Sequence, residues 1–191
     1  MSWYALFVET GREEQVKKYI HHMMSFYDAS VSYELLIAKR EVREKKGGKV
    51  QIIVKRMFPG YILLETENIL EFYLMLRAER SEYLYGVLRR DGYFKEIELE
   101  EISNVVYMTD SDGVIGSSDI FVENDRIIVT KGPLKNYDGL INKIDRRKRR
   151  VKAEFKFNGK THYMDLSVNF IEKLNEIDRK EIPFSHIRQF E

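Results

Sequence analysis

The sequence predicts an α+β fold in two parts: a ferredoxin-like, split βαβ domain over residues 1–108 and a small all-β barrel over residues 119–175. Three observations carry this. Strand-like apolar runs and two helix-period stretches follow one another in the order β-α-β-β-α-β up to Met108. Thr109–Ser118, small, polar and glycine-containing, then reads as an interdomain linker. From Asp119 onward only strand patterns and turn residues remain, and five short strands in a small domain suit a barrel.

Trp3–Val8 has strand composition, and Thr10-Gly11-Arg12-Glu13 matches a capping box, in which a threonine hydroxyl and a glutamate satisfy free amides at a helix start. The helix predicted from about Arg12 to Met24 places Val16, Ile20, Met23 and Met24 on one face. Ser32–Ala38 and Gln51–Val54 are strand candidates. Between them, the charged stretch Lys39–Lys49 reads as a mobile, solvated loop. Pro59-Gly60 is a turn signal ahead of a buried strand, Tyr61–Leu64. Asn68 caps a second helix to about Arg80, with the apolar stripe Ile69, Phe72, Tyr73 and Leu76. Tyr83–Leu88 is a further strand, and Leu99–Met108 a third helix.

In the second half, strands are predicted at Arg126–Thr130, Gly139–Asp145, Val151–Phe157, Thr161–Leu166 and Phe170-Ile171. The clearest alternates Val151, Ala153, Phe155 and Phe157 with Lys152, Glu154 and Lys156, so its inner and outer faces are assigned by period alone. Asn158-Gly159 supplies a type I′ hairpin turn. Residues 176–191 form a polar C-terminal extension expected either to dock loosely or to be mobile.

The chain has 32 basic and 31 acidic residues, so no overall field draws it to nucleic acid. The excess is local: residues 119–175 hold 13 basic and 8 acidic residues. No cysteine is present, which excludes disulfides and thiolate zinc sites and fits a cytoplasmic protein. No stretch approaches the roughly 20 apolar residues of a membrane span, and no membrane partner is expected.

Phosphate loops, nucleophile elbows and His-Glu-x-x-His pairs are missing, so no catalytic residue, metal site or cofactor is assigned and the chain is read as a non-enzyme. Adjacent His21 and His22 diverge on a helix and make a poor metal pair. Asp110, Asp112 and Gly113 fall short of a calcium loop, since Val114 and Ile115 break the ligand pattern. Glu98, Glu100 and Glu101 suit a helix start better than catalysis, and His162 reads as a packed or surface residue.

Recognition chemistry remains. Arg146-Arg147-Lys148-Arg149-Arg150 is a purely basic run between two predicted strands, hence at a hairpin tip, where it can neutralise several phosphates. With Lys152 on the adjoining strand it forms one candidate RNA-binding end. Lys131, Lys135 and Lys160 form a second, placed at the opposite end by a simple antiparallel meander.

Trp3-Tyr4, Thr10-Gly11 and above all Phe58-Pro59-Gly60-Tyr61 resemble the N-terminal (NGN) domain of NusG-family transcription elongation factors. Val129–Leu134 with Tyr137-Asp138-Gly139 resembles that family's KOW motif, whose glycine corresponds to Gly139. The resemblance spans about residues 2–175 and implies an SH3-like KOW barrel as the second domain. It further implies a monomer docked on the clamp helices of RNA polymerase through Trp3, Phe58 and Tyr61, with non-template DNA as a further candidate partner. Phe58, in a turn, is expected to be exposed. Met57 stands where the family often has phenylalanine, and Asn158 where it commonly has the aromatic used for ribosomal protein S10 or Rho. With the arginine-rich tip, these departures resemble specialised paralogs of the LoaP antiterminator type, which act through an RNA hairpin; a housekeeping adaptor is the alternative.

Overall fold

Strand β1 (Ser2–Val8) pairs antiparallel on both sides, with β5 (Tyr61–Thr66) and with β6 (Leu84–Val87). This computed structural model describes residues 1–27, 31–78, 81–123 and 126–172; the predicted C-terminal extension lies outside them. β2 (Tyr33–Leu36) joins β5 to complete a four-stranded sheet of order β2-β5-β1-β6. Helices α1 (Glu13–Met24) and α2 (Ile69–Ala78) fill the two crossovers, which is the split βαβ arrangement the sequence predicts.

Period dictates the packing. Leu6 and Val8 of β1, Ile62 and Leu64 of β5, and Leu35 of β2 present alternate side chains to one face. Val16, Ile20, Met23 and Met24 of α1 and Phe72 and Leu76 of α2 close that core, with Ile69 and Tyr73 partly buried against it. Asn68 caps α2 as expected, its Oδ1 accepting the Glu71 N–H at 3.1 Å.

The capping box does not form. The residue preceding α1 is Arg12, without a side-chain cap, and Glu13 turns inward and is fully buried. Its Oε2 accepts the Gly11 N–H and its Oε1 the Gly60 N–H, each at 2.9 Å. Arg56 Nε stands 2.7 Å from Oε2, as an ion pair whose N–H is not well aimed. The carboxylate thus ties the start of α1 to the Pro59-Gly60 turn, a long-range role that a local motif cannot reveal.

Two compact units result, one of residues Met1–Ala38 and Arg56–Ile102, the other of Lys39–Lys55 and the chain from Ser103 on. The stretch Lys39–Lys49, expected to be a mobile loop, is instead most of a hairpin of β3 (Lys39–Lys46) and β4 (Lys49–Arg56) that turns at Gly47-Gly48, both with positive φ. Short pairs β7 (Arg89–Arg90) and β8 (Tyr93–Phe94) follow in the first unit. Helix α3 (Leu99–Met108) has the predicted bounds.

The stretch that reads as a linker also has structure. Asp110 Oδ1 accepts the N–H groups of Asp112 and Val114, and β9 (Val114–Ile115) pairs parallel with β3. The aspartate of the incomplete calcium pattern therefore makes a turn. β10 (Ser118–Glu123) and β11 (Arg126–Lys131) come next. A 3₁₀ turn (Asp138–Leu140), β12 (Ile141–Asp145), β13 (Arg150–Phe157) and β14 (Lys160–Phe170) follow.

These last strands make a five-stranded sheet of order β11-β10-β14-β13-β12, antiparallel except for β10 with β14. Val151, Ala153, Phe155 and Phe157 are buried and Lys152 and Lys156 exposed, as their alternation requires. Asn158 and Gly159 have φ of 53° and 70°, the pair of positive values a type I′ turn needs. β10 escapes the sequence pattern because it begins inside the polar stretch that resembles a linker.

Candidate functional site

The second face of the β2-β5-β1-β6 sheet is aromatic. Trp3, Ala5 and Phe7 alternate away from the helices, with Glu65, Leu63 and Tyr61 as their partners on β5. Ala5 and Leu63 are buried, whereas Phe7 is 45% exposed. Its ring lies 5.5 Å from Tyr61 and 5.2 Å from Tyr85, which is 59% exposed. Three adjoining aromatic rings left in contact with water form the kind of surface a protein partner covers.

Phe58, predicted to be part of that surface, is not. It is only 5% exposed, as is its neighbour Met57 at 4%. The Met57 N–H bonds the Ala38 carbonyl and the Tyr61 N–H bonds the Phe58 carbonyl, so the turn curls its aromatic inward. Trp3 and Tyr61 are half-buried and remain candidates. Sequence reasoning missed Phe7 and Tyr85; the period-2 face shared by Trp3, Ala5 and Phe7 was the available signal for the first.

On the second unit, the basic run splits in two. Arg146, Arg147, Lys148 and Arg149 form the exposed turn between β12 and β13, with Arg149 at φ 53°. Asp145 anchors it: Oδ1 accepts the Lys148 N–H at 2.9 Å and Oδ2 lies 3.6 Å from Lys148 Nζ. The amide hydrogen bond, reinforced by the Lys148 charge, holds the Asp145 carboxyl below its usual range. Lys148 is therefore partly engaged, while the Arg146, Arg147 and Arg149 side chains project into solvent.

Arg150 belongs to the interior. Its side chain is 14% exposed, its Nη1 pairs with Asp165 Oδ2 at 3.2 Å, and its Nη2 donates to the Arg43 carbonyl of β3. Arg150 is thus not part of the exposed turn, contrary to what the uniform basic run suggests.

The strand registers also correct the two-ended picture. Lys131 pairs with Asp119, Asp119 with Asn169, and the Val168 N–H bonds the Arg149 carbonyl. The loop that starts at Lys131 therefore adjoins the same end of β14 as the arginine turn. The intervening parallel strand β10, absent from a simple meander, causes this. Lys131 and Lys135 are exposed there, held by Gly132-Pro133-Leu134, whose Leu134 N–H bonds Ser118 Oγ at 3.0 Å. Lys160 is exposed at the other end of β14, opposite Phe157, and stands apart. Lys152 is exposed on β13, directly across from Lys143, and extends the basic surface from the turn.

Among the described residues, no group of three or more histidines or carboxylates could hold a metal, and no helix is long and apolar enough to cross a membrane. What the two surfaces offer is apolar contact and positive charge, the equipment of a binding protein. The family model described as transcription termination factor nusG matches residues 1–106, more than half of the chain, and the chain belongs to that family.

Curated relatives agree over nearly the whole length. The transcription termination/antitermination protein NusG of Pasteurella multocida is 23% identical over 176 residues, 91% of this chain and 95% of that protein. The protein of the same name in Rickettsia felis is 24% identical over 173 residues, 90% and 89% of the two chains. A solved structure of Thermotoga maritima NusG matches with a TM-score of 0.52 at 20% identity, covering 87% of this chain and 93% of that one, which shows the shared fold. The family model and these relatives are described as transcription termination or antitermination factors.

Proposed function

We propose that the chain is an operon-specific transcription elongation and antitermination factor, holding RNA polymerase with its first unit and a nascent RNA hairpin with its second. In this reading residues 1–108 are the polymerase-binding domain, 109–118 connect it to an SH3-like KOW barrel at 119–175, and 176–191 extend it. The aromatic surface of Trp3, Phe7, Tyr61 and Tyr85 meets the clamp helices and restrains their opening. Arg146, Arg147 and Arg149 contact RNA phosphates, joined by Lys131, Lys135 and Lys152.

The observation that carries the RNA half is the solvent-facing arginine turn on the same end of β14 as the Lys131–Lys135 loop. Arginine forks suit phosphate oxygens, and a regular A-form stem offers its backbone more readily than its narrow major groove. The alternative, a housekeeping adaptor whose second unit binds a protein, draws on the name its curated relatives share. An RNA mobility-shift assay on the leader transcript upstream of the protein's own gene separates the two. Salt-sensitive binding supports the RNA reading, and absence of binding at moderate salt alongside capture of ribosomal protein S10 overturns it.

A further inference from the structure

Where the β3–β4 hairpin lies against β14, three arginines converge inside the second unit. Arg40 Nη1 donates to the Asp165 carbonyl, Arg43 Nη2 to Asn169 Oδ1, and Arg150 to Asp165 and the Arg43 carbonyl. Every one of these bonds uses a terminal nitrogen. The Nε–H of all three is enclosed without a hydrogen-bond partner, and so is the hydroxyl of Ser167, a fully buried residue directly across the sheet from Arg150.

Charge is out of balance at the same place. Among the described residues, the carboxylates that act on Arg40 and Arg150 are those of Asp165, Glu44 and Asp145, of which Glu44 is also taken up by Lys55 at 2.5 Å and Asp145 by the Lys148 amide and ammonium. Burial, followed by the nearby Arg150 charge, weakens the hold of Arg40 on its proton despite Asp165 and Glu44. An unsatisfied buried donor costs about 1–3 kcal/mol, and more when charged. Three unpaired Nε–H groups, one unpaired hydroxyl and positive charge match the acceptor oxygens and negative charge of a tetrahedral oxyanion. The Nε–Nη edge of arginine is the fork that grips phosphate in two places, and long side chains reorient to present it.

We propose that Arg40, Arg43 and Arg150, with the Ser167 hydroxyl, form a phosphate-binding site at the seam between the hairpin and β14. The site goes beyond the exposed arginine turn, uses different residues and does not depend on that turn binding RNA. Its ligand is a phosphate group, supplied either free or as the backbone of a nucleic acid. Binding supplies the missing negative charge and clamps the hairpin to the sheet.

Thermal unfolding of the full chain in inorganic phosphate, against chloride at equal ionic strength, is the test, with a short RNA hairpin as second probe. Phosphate is expected to raise the Tm by several degrees more than chloride, and Arg40→Gln and Arg43→Gln to abolish the difference. Asp165→Asn removes the competing carboxylate and is expected to tighten phosphate binding a few-fold, a gain that damage to the fold does not mimic. A response to free phosphate alone identifies the small anion as ligand. Loss of about one unit of RNA salt slope in Arg43→Gln, with the Arg146–Arg149 turn intact, identifies the backbone. Equal Tm in phosphate and chloride, with RNA affinity and slope unchanged in folded Arg40→Gln and Arg43→Gln, overturns the proposal.

Discussion

The Glu13 carboxylate, fully buried at the start of α1, accepts the backbone N–H of Gly60 at 2.9 Å across 47 positions of sequence. Arg56 completes the arrangement from the other side of the Pro59-Gly60 turn. Replacing Glu13 by alanine leaves two amides without their acceptor and the Arg56 guanidinium without its counter-charge. The expected loss is about 3–5 kcal/mol, the range for breaking a buried pair from one side. Urea denaturation of the two proteins measures it, and a loss under about 1 kcal/mol would show the carboxylate to be dispensable.

The same carboxylate sets an acid limit. Burial raises its pKa, but hydrogen bonds from Gly60, its own amide and Gly11, with the Arg56 charge, outweigh burial and hold it below the usual glutamate value. A group depressed in the folded state stabilises fully above its unfolded pKa, about 4.3, and loses that contribution as pH falls through the folded value. The stability gap between wild type and Glu13→Gln is therefore expected to be constant from neutral pH to about pH 5 and to close below about pH 4. Denaturation curves across that range decide it, a pH-independent gap being the contrary result.

Glycine requirements in the second unit can be ranked. Gly139, matched to the family's KOW glycine by resemblance, lacks a positive φ, and a Cβ added there would meet no atom within 4 Å. Gly132 has φ +93°, and a Cβ there would meet Ser118 Cα at 2.7 Å and the Ser117 carbonyl at 2.8 Å. Those are backbone atoms that cannot swing away. Gly132→Ala is expected to cost about 2–4 kcal/mol from conformational strain plus overpacking, and Gly139→Ala less than about 1. Thermal unfolding of both variants checks the order, which a lower Tm for Gly139→Ala would reverse.

Local chemistry and strict period are legible in the sequence, and long-range pairing is not. The face of β13, the Asn158-Gly159 turn, the Asn68 cap and the split βαβ order all follow from neighbours within a few residues. Glu13 resembles a capping residue because its partners, Gly60 and Arg56, lie more than 40 positions away. β3 looks like a solvated loop because its burial comes from β14, over 100 residues on. The same distance hides the structural role of Arg150 inside an apparently uniform basic run. Parallel pairing of β10 with β14 moves the Lys131 loop beside the arginine turn, a relation no hairpin rule predicts.

Phe58 and Phe7 are expected to exchange the roles that the turn motif suggests. Phe58→Ala empties a buried position and should cost about 3–5 kcal/mol of stability. Phe7→Ala and Tyr85→Ala remove exposed rings, so stability should change by under about 1 kcal/mol while capture of purified RNA polymerase falls by about tenfold or more, as for a hot-spot pair. Denaturation and a polymerase pull-down give the two readouts. Undiminished capture by the Phe7→Ala, Tyr85→Ala double variant would place the polymerase contact elsewhere.

The arginine turn is expected to separate binding from folding. Arg146, Arg147 and Arg149 project from a turn whose shape is set by Asp145 and by the Val168–Arg149 hydrogen bond, both of which survive truncation of the three side chains. Replacing all three by alanine should leave the Tm within about 2 °C of wild type, in keeping with surface substitutions. RNA affinity should drop by about tenfold or more, and the slope of log K against log salt should fall by about two to three, roughly one for each phosphate no longer neutralised. Arg150→Ala should differ by losing stability, through the stranded Asp165 and Arg43 carbonyl. If the triple variant kept the full slope, the phosphates would be held by Lys131, Lys135 and Lys152 instead.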